Sequence, residues 1–183
     1  MKTEFETRFL EIDKADIVNR LRELGAEDFG EVKLDEVIFY DKDLKWLDEH
    51  RLIRLRNKNG KTVLTYKHHE EQKIGSTKEI EFVVSDFEKA KELLLALGYV
   101  CYRTIEKYRH TLKLNGVTFD IDTWPKIPTY IEIEASSEEK IKSAAEALGL
   151  EWEKKFEKDA RYVFKHYGFD FDKIRTVTFD KFE

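Results

Sequence analysis

Residues 3–10, which read Thr-Glu-Phe-Glu-Thr-Arg-Phe-Leu, alternate polar with apolar side chains. Successive side chains of a β-strand point to opposite faces, so Glu4, Glu6 and Arg8 would share one face while the two phenylalanines share the other. The stretch therefore predicts a strand that has one charged and one apolar face.

The same alternation recurs in later segments of the chain. Seven further strand-like runs cover residues 36–41, 51–57, 62–68, 77–84, 105–114, 117–123 and 129–135. Helices are predicted over residues 13–24, 85–97, 136–148 and 158–167, and each is followed by a glycine suited to the left-handed position after a helix. The pairs Asn59-Gly60 and Asn115-Gly116 favour tight hairpins, so adjacent strands should be mostly antiparallel.

The charged faces of these strands carry like-charged pairs two residues apart. The pairs are Arg54 and Arg56, Glu79 and Glu81, Lys107 and Arg109, Asp120 and Asp122, and Glu132 and Glu134. Lys67, near the end of the fourth strand, lies on the corresponding face. An open sheet would turn such a face to water. Like charges repel one another, however, so such pairs persist more readily when groups of opposite sign lie between them. Eight strands with three or four amphipathic helices therefore favour an α+β fold, an eight-stranded closed antiparallel β-barrel with helices packed on the outside and a polar lumen.

The predicted lumen would hold both a cation and a polyanion. It contains six cationic and eight carboxylate side chains, a sum of −2. Two divalent ions would raise that sum to about +2, and a polyphosphate with a charge of about −4 could then enter. Carboxylate oxygens without Cys or His ligands select Mg²⁺ or Mn²⁺ over zinc, and arginine forks match phosphate oxygens bidentately. The sequence thus predicts a charged lumen that binds one or two Mg²⁺ or Mn²⁺ ions and a polyphosphate.

Composition sets limits on the partners. The 183 residues fit one domain, and the 33 basic and 38 acidic residues are interspersed, so the net charge of −5 comes without a basic block that would track a nucleic-acid backbone. The single cysteine, Cys101, cannot form an intrachain disulfide, and no apolar stretch reaches the length needed to cross a bilayer. We therefore expect a cytoplasmic protein, monomer or homodimer, with no nucleic-acid or membrane partner.

Six short motifs occur in order along the chain. They are Glu4-Phe5-Glu6-Thr7-Arg8, Arg51-Leu52-Ile53-Arg54-Leu55-Arg56, Leu64-Thr65-Tyr66-Lys67, Lys78-Glu79-Ile80-Glu81, Lys107-Tyr108-Arg109 and Tyr130-Ile131-Glu132-Ile133-Glu134. With these motifs the chain resembles the CYTH or triphosphate tunnel metalloenzyme superfamily, which includes class IV adenylyl cyclases and thiamine and inorganic triphosphatases. The resemblance runs from residue 3 to about residue 168. We therefore expect a tunnel domain over residues 1–168 and a C-terminal extension over residues 169–183, which adds an edge strand or a dimer contact.

The resemblance implies roles for particular residues. It implies that Glu4, Glu6 and Glu134 bind a metal ion, with Glu81, Asp122 or Glu132 at a second ion. It implies a phosphate-binding set of Arg8, Arg54, Arg56, Lys67, Lys78, Lys107 and Arg109, and a catalytic set of Glu4, Glu6, Arg8 and Asp122. Arg8 stands where the family motif usually has lysine. Arginine keeps its proton, so Arg8 suits phosphate binding while its role as a base is in doubt.

Three functions fit this pattern. The first is metal-dependent hydrolysis of a triphosphate, which could be a nucleoside triphosphate, thiamine triphosphate or inorganic triphosphate. The second is a class IV adenylyl cyclase that converts ATP to cyclic AMP and pyrophosphate, and the third, which Arg8 keeps open, is a protein that binds a nucleotide or polyphosphate without turning it over. Hydrolysis is favoured because no set of residues that would read adenine is apparent. Trp124, beside Asp122, is expected to be a packing residue that could border the tunnel mouth.

Overall fold

The computed structural model describes residues 1–58, 60–71 and 73–183, without the side chain of Lys2. The strands within these residues are β1 (Lys2–Phe9), β2 (Glu27–Tyr40), β3 (Arg51–Lys58), β4 (Lys61–His69), β5 (Thr77–Val84), β6 (Val100–Leu114), β7 (Val117–Thr123), β8 (Tyr130–Ala135) and β9 (Thr176–Val177). The helices are α1 (Lys14–Glu23), α2 (Lys45–Asp48), α3 (Phe87–Ala96), α4 (Glu138–Ala147) and α5 (Ala160–His166). None of the helices in these described ranges has the length and apolar character needed to span a membrane.

Eight of the strands close into a barrel. Antiparallel neighbours follow the order β2-β3-β4-β5-β1-β8-β7-β6, and β6 pairs back onto β2. The closing ladder runs from Glu27 opposite Lys113 to Tyr40 opposite Val100. The predicted α+β class and the closed eight-stranded antiparallel barrel with outer helices are confirmed.

The apolar faces of the strands form a core between the barrel wall and the helices. On one side of the barrel, Ile131 and Ile133 of β8 pack in one buried cluster with Ile141 and Ala145 of α4. Complete burial of an aliphatic side chain of this size contributes about 1.5–3 kcal/mol. Because side chains alternate along a strand, this packing turns the charged neighbours of the two isoleucines into the lumen.

Two strands begin earlier than the sequence pattern predicts. β2 starts at Glu27 rather than at residue 36, and β6 starts at Val100 rather than at residue 105. Each added part pairs with the predicted part of the other strand, and the register shifts between Asp28 and Glu31 and again between Ile38 and Phe39. Residues 27–35 are mostly polar and interrupted by Gly30, whose φ of 75° marks the irregularity, so only the long-range pairing reveals the strand.

The predicted hairpin turn between β6 and β7 is present. Asn115 and Gly116 have φ angles of 50° and 77°, and a two-residue turn of this kind requires positive values at both positions. Gly60, between β3 and β4, also has a positive φ, of 76°. Its predicted turn partner, Asn59, lies outside the described residues.

Residues 169–183 lie against the barrel. β9 pairs in parallel with β6, with Thr104 opposite Thr176 and Ile105 opposite Val177. β7 pairs with β6 only from Tyr108 onward, so β9 occupies the place beside β6 beyond the end of β7. The extra strand expected in this segment is therefore present, while the division of the chain at residue 168 stays a prediction.

Candidate functional site

The inward faces of all eight barrel strands line the lumen, and six of these strands contribute the predicted site residues. Eleven of the predicted site residues lie on this wall: Glu4, Glu6, Arg8, Arg54, Arg56, Lys67, Glu81, Lys107, Arg109, Glu132 and Glu134. The alternation of side chains along each strand is what brings them together, since their neighbours in sequence pack outward. Cations and carboxylates from different strands thus face one another inside the barrel, as the sequence pattern requires.

The lumen has two adjoining halves, which we call the basic half and the acidic half. Among the described residues, eight cationic and four carboxylate side chains line the basic half, whose empty volume is about 800 Å³. Six cationic and seven carboxylate side chains, counted over the same described residues, line the acidic half of about 910 Å³. The side chains that border both halves are Glu6, Arg54, Lys67, Arg109 and Glu132. The remaining charged groups of the basic half are Arg8, Arg51, Arg103, Lys107, Arg161, Glu36 and Asp159, and those of the acidic half are Glu4, Glu79, Glu81, Asp120, Glu134, Arg56, Lys58 and Lys113.

Two predicted site residues lie off the lumen wall. Lys78 has the opposite orientation to Glu79 on β5, and its Nζ donates to Thr3 Oγ1 at 2.9 Å on the outside of the barrel. The structure therefore does not bring Lys78 to the phosphate-binding set. Asp122 shares the inward face of β7 with Asp120, but it is fully buried beneath Lys107 and Arg109, from which it accepts hydrogen bonds.

The contacts of Asp122 fix the two cations of β6. Its Oδ1 accepts from Arg109 Nε at 2.6 Å, and its Oδ2 accepts from Arg109 Nη2 at 2.7 Å and from Lys107 Nζ at 2.8 Å. Burial alone would raise the pKa of the Asp122 carboxyl, but Arg109 and Lys107 hold that pKa below its ordinary value. Both oxygens are engaged, so Asp122 acts here as an anchor for the cations rather than as a group facing the lumen.

Arg8 joins the acidic residues of two strands. Its Nη2 lies 2.7 Å from Glu132 Oε2 and 3.1 Å from Glu6 Oε1, and its Nη1 donates to the Lys158 carbonyl at 3.0 Å. Although burial opposes the charged form, Glu132 and Glu6 raise the pKa of Arg8 well above its ordinary value. Arg8 is therefore a permanent cation that can bind an anion but cannot accept a proton.

Among the described residues, sequence reasoning missed several buried charges of the lumen, including Glu36, Arg103 and Asp159. Glu36 is 3 % exposed, and its Oε1 lies 2.8 Å from Arg56 Nε and 3.9 Å from Lys107 Nζ. It was hidden because the residue two positions later on its strand is apolar, so no like-charged pair marks the face. Arg103 was missed because the predicted strand began at residue 105, although continuing its alternation backward would have placed Arg103 on the face of Lys107.

Several N–H donors in the basic half are buried without a hydrogen-bond acceptor. Within the described residues they include the Nε atoms of Arg8 and Arg54 and the indole Nε1 of Trp124, and all three side chains line the basic half. A buried donor without an acceptor costs about 1–3 kcal/mol, so such groups are uncommon in a folded protein. An oxygen-rich anion would satisfy them. Trp124, expected near the tunnel mouth, thus borders the lumen as a donor.

The acidic half provides the donor atoms that a hard divalent cation prefers. Burial, together with the nearby carboxylates Glu6 and Glu79, raises the pKa of Glu4 to about 7 against the pull of Lys67. Crowded carboxylates of this kind are stabilised by a cation, and no His or Cys is among the described residues that line this half. Within the described residues the carboxylates do not form a ready cluster of three metal ligands, because lysine and arginine engage them; Lys67 Nζ, for example, lies 2.8 Å from Glu4 Oε2. The chemistry fits Mg²⁺ or Mn²⁺, provided that these ion pairs rearrange.

Over the described residues the barrel is a closed antiparallel tunnel with a cation-rich half and a half in which seven carboxylates face six cations. The chain belongs to the CYTH domain family, whose family model matches residues 2–163. A protein of Methanocaldococcus jannaschii named "putative adenylate cyclase" is 31% identical over 128 residues, which cover 68% of this chain and 71% of that protein.

Solved structures agree with this assignment. A protein of Pyrococcus horikoshii OT3 is 30% identical and superimposes with a TM-score of 0.75, covering 87% of this chain and 98% of that chain. A "putative adenylyl cyclase" of Hippeastrum, described as having a dominant triphosphatase activity, is 13% identical with a TM-score of 0.65, covering 90% of this chain and 96% of that chain. At that identity the Hippeastrum protein shows a shared fold alone.

Proposed function

We propose that this chain is a divalent-metal-dependent enzyme that hydrolyses a triphosphate compound bound in the tunnel. The observation that carries the proposal is the segregation of charge in the lumen, with eight cations against four carboxylates in the basic half of the described chain. Buried N–H donors without acceptors lie in the same half. The two features together match a polyanion whose oxygens accept hydrogen bonds.

The phosphate groups would lie against Arg8, Arg54, Lys107 and Arg109. Asp122 accepts hydrogen bonds from Lys107 and Arg109, so the positions of these two cations are fixed before a ligand binds. Arg8 presents an Nε–H that has no acceptor, and its positive charge persists at all physiological pH values. Catalysis of phosphoryl transfer depends mainly on such positioning and on electrostatic stabilisation of the phosphoryl oxygens.

The metal ions would be held in the acidic half by Glu4, Glu6 and Glu134, with Glu81 or Glu132 at a second ion. Asp122 is left out of this set because Arg109 and Lys107 occupy both of its oxygens. A divalent ion there would neutralise phosphate charge and make an attacking water more acidic. Glu6 and Glu132 border both halves, so these two side chains can contact the metal ion and also the cations that bind the phosphate groups.

The reaction would proceed by displacement at phosphorus. The oxygen of a water molecule attacks the terminal phosphorus, the bond to the bridging oxygen breaks, and the diphosphate product leaves with the electron pair of that bond. The proton of the water would pass to a carboxylate of the acidic half or to solvent, since Arg8 cannot take it. The cations of the basic half would stabilise the charge that builds up on the leaving diphosphate.

Adenylyl cyclisation is the second candidate. In that reaction the ribose 3′ hydroxyl attacks the α-phosphorus and pyrophosphate leaves. The name of the Methanocaldococcus jannaschii relative favours it, as does the presence of Trp124 and Tyr130 on the lumen wall, where an organic group could lie. The same phosphate-binding cations would serve both reactions.

The experiment is to incubate the protein with ATP and with tripolyphosphate in the presence of Mn²⁺ and to measure orthophosphate, pyrophosphate and cyclic AMP. Release of orthophosphate without cyclic AMP supports hydrolysis, and cyclic AMP with pyrophosphate supports cyclisation instead. Glu4→Gln should abolish turnover, while the matched change Glu88→Gln, at a side chain 73% exposed on α3, should leave it unchanged. Tight binding of triphosphate without any turnover would mean that the chain is a binding protein and would reject the enzyme proposal.

A further inference from the structure

The ladder between β1 and β5 is short. Among the described residues, three residue pairs join these two strands, and the last of them sets Lys2 opposite Glu79. β5 continues over residues 80–84, which pair with β4 on one side. Within the described part of the chain, no strand pairs with residues 80–84 on the other side. β5 is therefore an edge strand over this part of its length.

Several side chains of this edge are apolar and exposed. The exposed fraction is 47% for Ile80, 53% for Phe82 and 62% for Val83. Glu79 and Glu81 line the lumen, so Ile80 and Phe82 point to the outer face of the barrel. An edge that combines exposed apolar side chains with open backbone groups pairs readily with another strand.

This edge has few of the features that prevent strand pairing. Natural edge strands commonly contain lysine, proline or a bulge, or lie beneath a helix. Residues 80–84 read Ile-Glu-Phe-Val-Val, and their register against β4 continues without a shift to the pair of Thr62 and Val84. α3, which follows β5 in the chain, packs instead through Leu94 on side chains of β2 and β3. The edge is thus regular and uncovered by the helix nearest to it in sequence.

The sequence of the edge is complementary to itself. If two copies of β5 pair antiparallel with their Phe82 residues opposite each other, Ile80 lies opposite Val84 and Glu81 lies opposite Val83. Apolar side chains then meet on the outer face, and the two Glu81 carboxylates stay apart. A register centred on Glu81 would instead set two carboxylates opposite each other, which is destabilising.

The length of the edge also fits a second copy of the chain. β1 covers β5 up to Glu79, so another strand can pair with residues 80–84 and no further. In the register centred on Phe82, the second copy would reach Ile80 with its own Val84, which is the last residue of β5. The chain then turns into α3, where the Asp86 side chain accepts a hydrogen bond from the backbone N–H of Lys89 at 3.0 Å. The strand that fills the edge therefore ends where the edge ends.

We propose that two copies of this chain associate by antiparallel pairing of residues 80–84 of β5, with the two-fold axis at Phe82. The backbone groups of the edge then form hydrogen bonds between the copies, and Ile80 and Phe82 are covered by Val84 and Phe82 of the second copy. The interface is small, so we expect dissociation in the micromolar range. This association does not depend on the proposed function.

The pairing would extend the wall of the acidic half. Glu81 lines that half, and Val83 follows two residues later on the same face of β5. The β5 strand of the second copy would continue the sheet beside these two residues, in the part of the wall that the ladder with β1 does not reach. The acidic halves of the two copies would therefore lie on either side of one shared ladder.

Sedimentation velocity over a concentration series from about 1 μM to about 500 μM tests the association. The wild-type protein should change from monomer to dimer within this series. Phe82→Glu should weaken the association at least about tenfold, because two carboxylates then lie opposite each other and an apolar contact is lost. Leu93→Glu is the matched control, since Leu93 is 59% exposed on α3, and it should change the dissociation constant less than about twofold.

Charge-swapped variants test the register. Phe82→Lys should weaken the association as Phe82→Glu does. An equimolar mixture of the two variants should associate about fivefold more tightly than either variant alone, since opposite charges then meet at the two-fold axis. Hydrogen exchange of the wild-type protein is a measurement that needs no variant, and the amides of residues 80–84 that point away from β4 should exchange more slowly at high protein concentration.

Each of the following results would overturn the proposal. A wild-type protein that stays monomeric over the whole series would leave the edge to an extended segment of another protein. A dimer that Phe82→Glu does not weaken would use a different surface. A mixture of the two charged variants that associates no more tightly than either alone would show that the Phe82 side chains do not meet.

Discussion

The basic and acidic halves of the lumen are built by the same strands, yet they have different chemistry. β1 contributes Glu4 to the acidic half, Glu6 to the border and Arg8 to the basic half. On β8, Glu134 lines the acidic half and Glu132 the border. A step of two residues moves about 6.6 Å along a strand, so each position in a motif corresponds to a level along the tunnel.

The difference teaches how short charged motifs encode a site. A Glu-x-Glu-x-Arg run is not only a set of groups on one face, because its order places carboxylates at one end of the tunnel and a cation at the other. The strands β1 and β8 are antiparallel, and their register sets Glu6 opposite Glu134 and Arg8 opposite Glu132. Each of these β8 carboxylates therefore lies nearer the acidic half than the β1 residue opposite it. The separation of charge therefore depends on register as much as on composition.

The largest expected effect tests whether the buried carboxylate of Asp122 stabilises the cations of the basic half. Asp122→Ala leaves Arg109 and Lys107 buried without their shared carboxylate, and the loss of one partner of a buried pair costs about 3–5 kcal/mol. Urea denaturation should show this decrease in the free energy of unfolding. Tripolyphosphate should stabilise the variant more than the wild type, because it supplies the missing negative charge.

Asp120→Ala is the matched comparison for this variant. Asp120 Oδ2 also lies 2.6 Å from Arg109, but its side chain is 15% exposed and Arg109 keeps Asp122. The decrease in stability should be clearly smaller than for Asp122→Ala. Equal decreases in the free energy of unfolding would show that the buried carboxylate of Asp122 contributes no more than that of Asp120.

A second pair of variants tests whether the two halves act separately. Glu4→Gln should remove the Mn²⁺-induced rise in melting temperature while the protein still binds tripolyphosphate in EDTA. Arg8→Gln should weaken the binding of tripolyphosphate in EDTA about tenfold or more, since a charge-assisted contact contributes about 1.5–3 kcal/mol, and should preserve the Mn²⁺ effect. Calorimetry and thermal melts give the two readouts.

Arg8→Lys is the control for charge. It restores a cation and should recover most of the anion binding that Arg8→Gln loses. The comparison of the two halves breaks down if Glu4→Gln and Arg8→Gln each weaken metal and anion binding to the same extent.

The pH dependence of stability provides a third test, at the wall of the basic half. Burial, together with the positive charges of Lys67 and Arg8, lowers the pKa of His69 from 6.5 to about 4 against the pull of Asp159. Below pH 6.5 the unfolded chain therefore binds a proton that the folded chain does not, and His69 makes stability fall as the pH decreases from about 6.5 to about 4.

His69→Gln should flatten this part of the stability curve, and His68→Gln, on the opposite face of β4, is the comparison. Glu4 acts in the opposite direction, because its raised pKa gives stability that is present below about pH 4.5 and lost as the pH rises through about 7. The difference between wild type and variant isolates His69. An unchanged slope in His69→Gln between pH 4 and 6.5 would show that this histidine is not buried in its neutral form.

The smallest expected effect concerns the rim of the acidic half. Glu81 has a side chain 44% exposed, and its Oε2 lies 3.7 Å from Arg54 Nη2. Exposed pairs contribute less than about 1 kcal/mol, so Glu81→Gln should change the unfolding free energy by no more than that. A reduction of the Mn²⁺-induced melting shift in this variant would sharpen the comparison, because it would place a second ion at the rim.

Much of the fold could be predicted from the alternation of side chains, and the reasons for the misses are physical. Alternation places Glu4, Glu6 and Arg8 together without any knowledge of the barrel, because the apolar face must be buried. Lys78 entered the predicted site through its motif alone, and its alternation relative to Glu79 would have excluded it.

Other features depend on contacts that are distant in the sequence. The first part of β2 is polar and becomes a strand because β6 pairs with it. The aromatic side chains Tyr40, Trp124 and Phe171 border the basic half but come from three separate segments of the chain, so no local sequence pattern predicts that they lie together. The roles of the individual carboxylates, the cytoplasmic location and the oligomeric state stay predictions.

Within the described residues, the pairing of β6 with β2 gives each of the eight barrel strands a hydrogen-bonded neighbour on both sides. Amide protons in such a wall exchange with solvent mainly when the whole ladder opens, so the barrel should be among the slowest-exchanging parts of the protein. A ligand therefore cannot enter between the strands and has to pass along the axis of the tunnel. A slender, linear chain of phosphates is the shape that such passage admits.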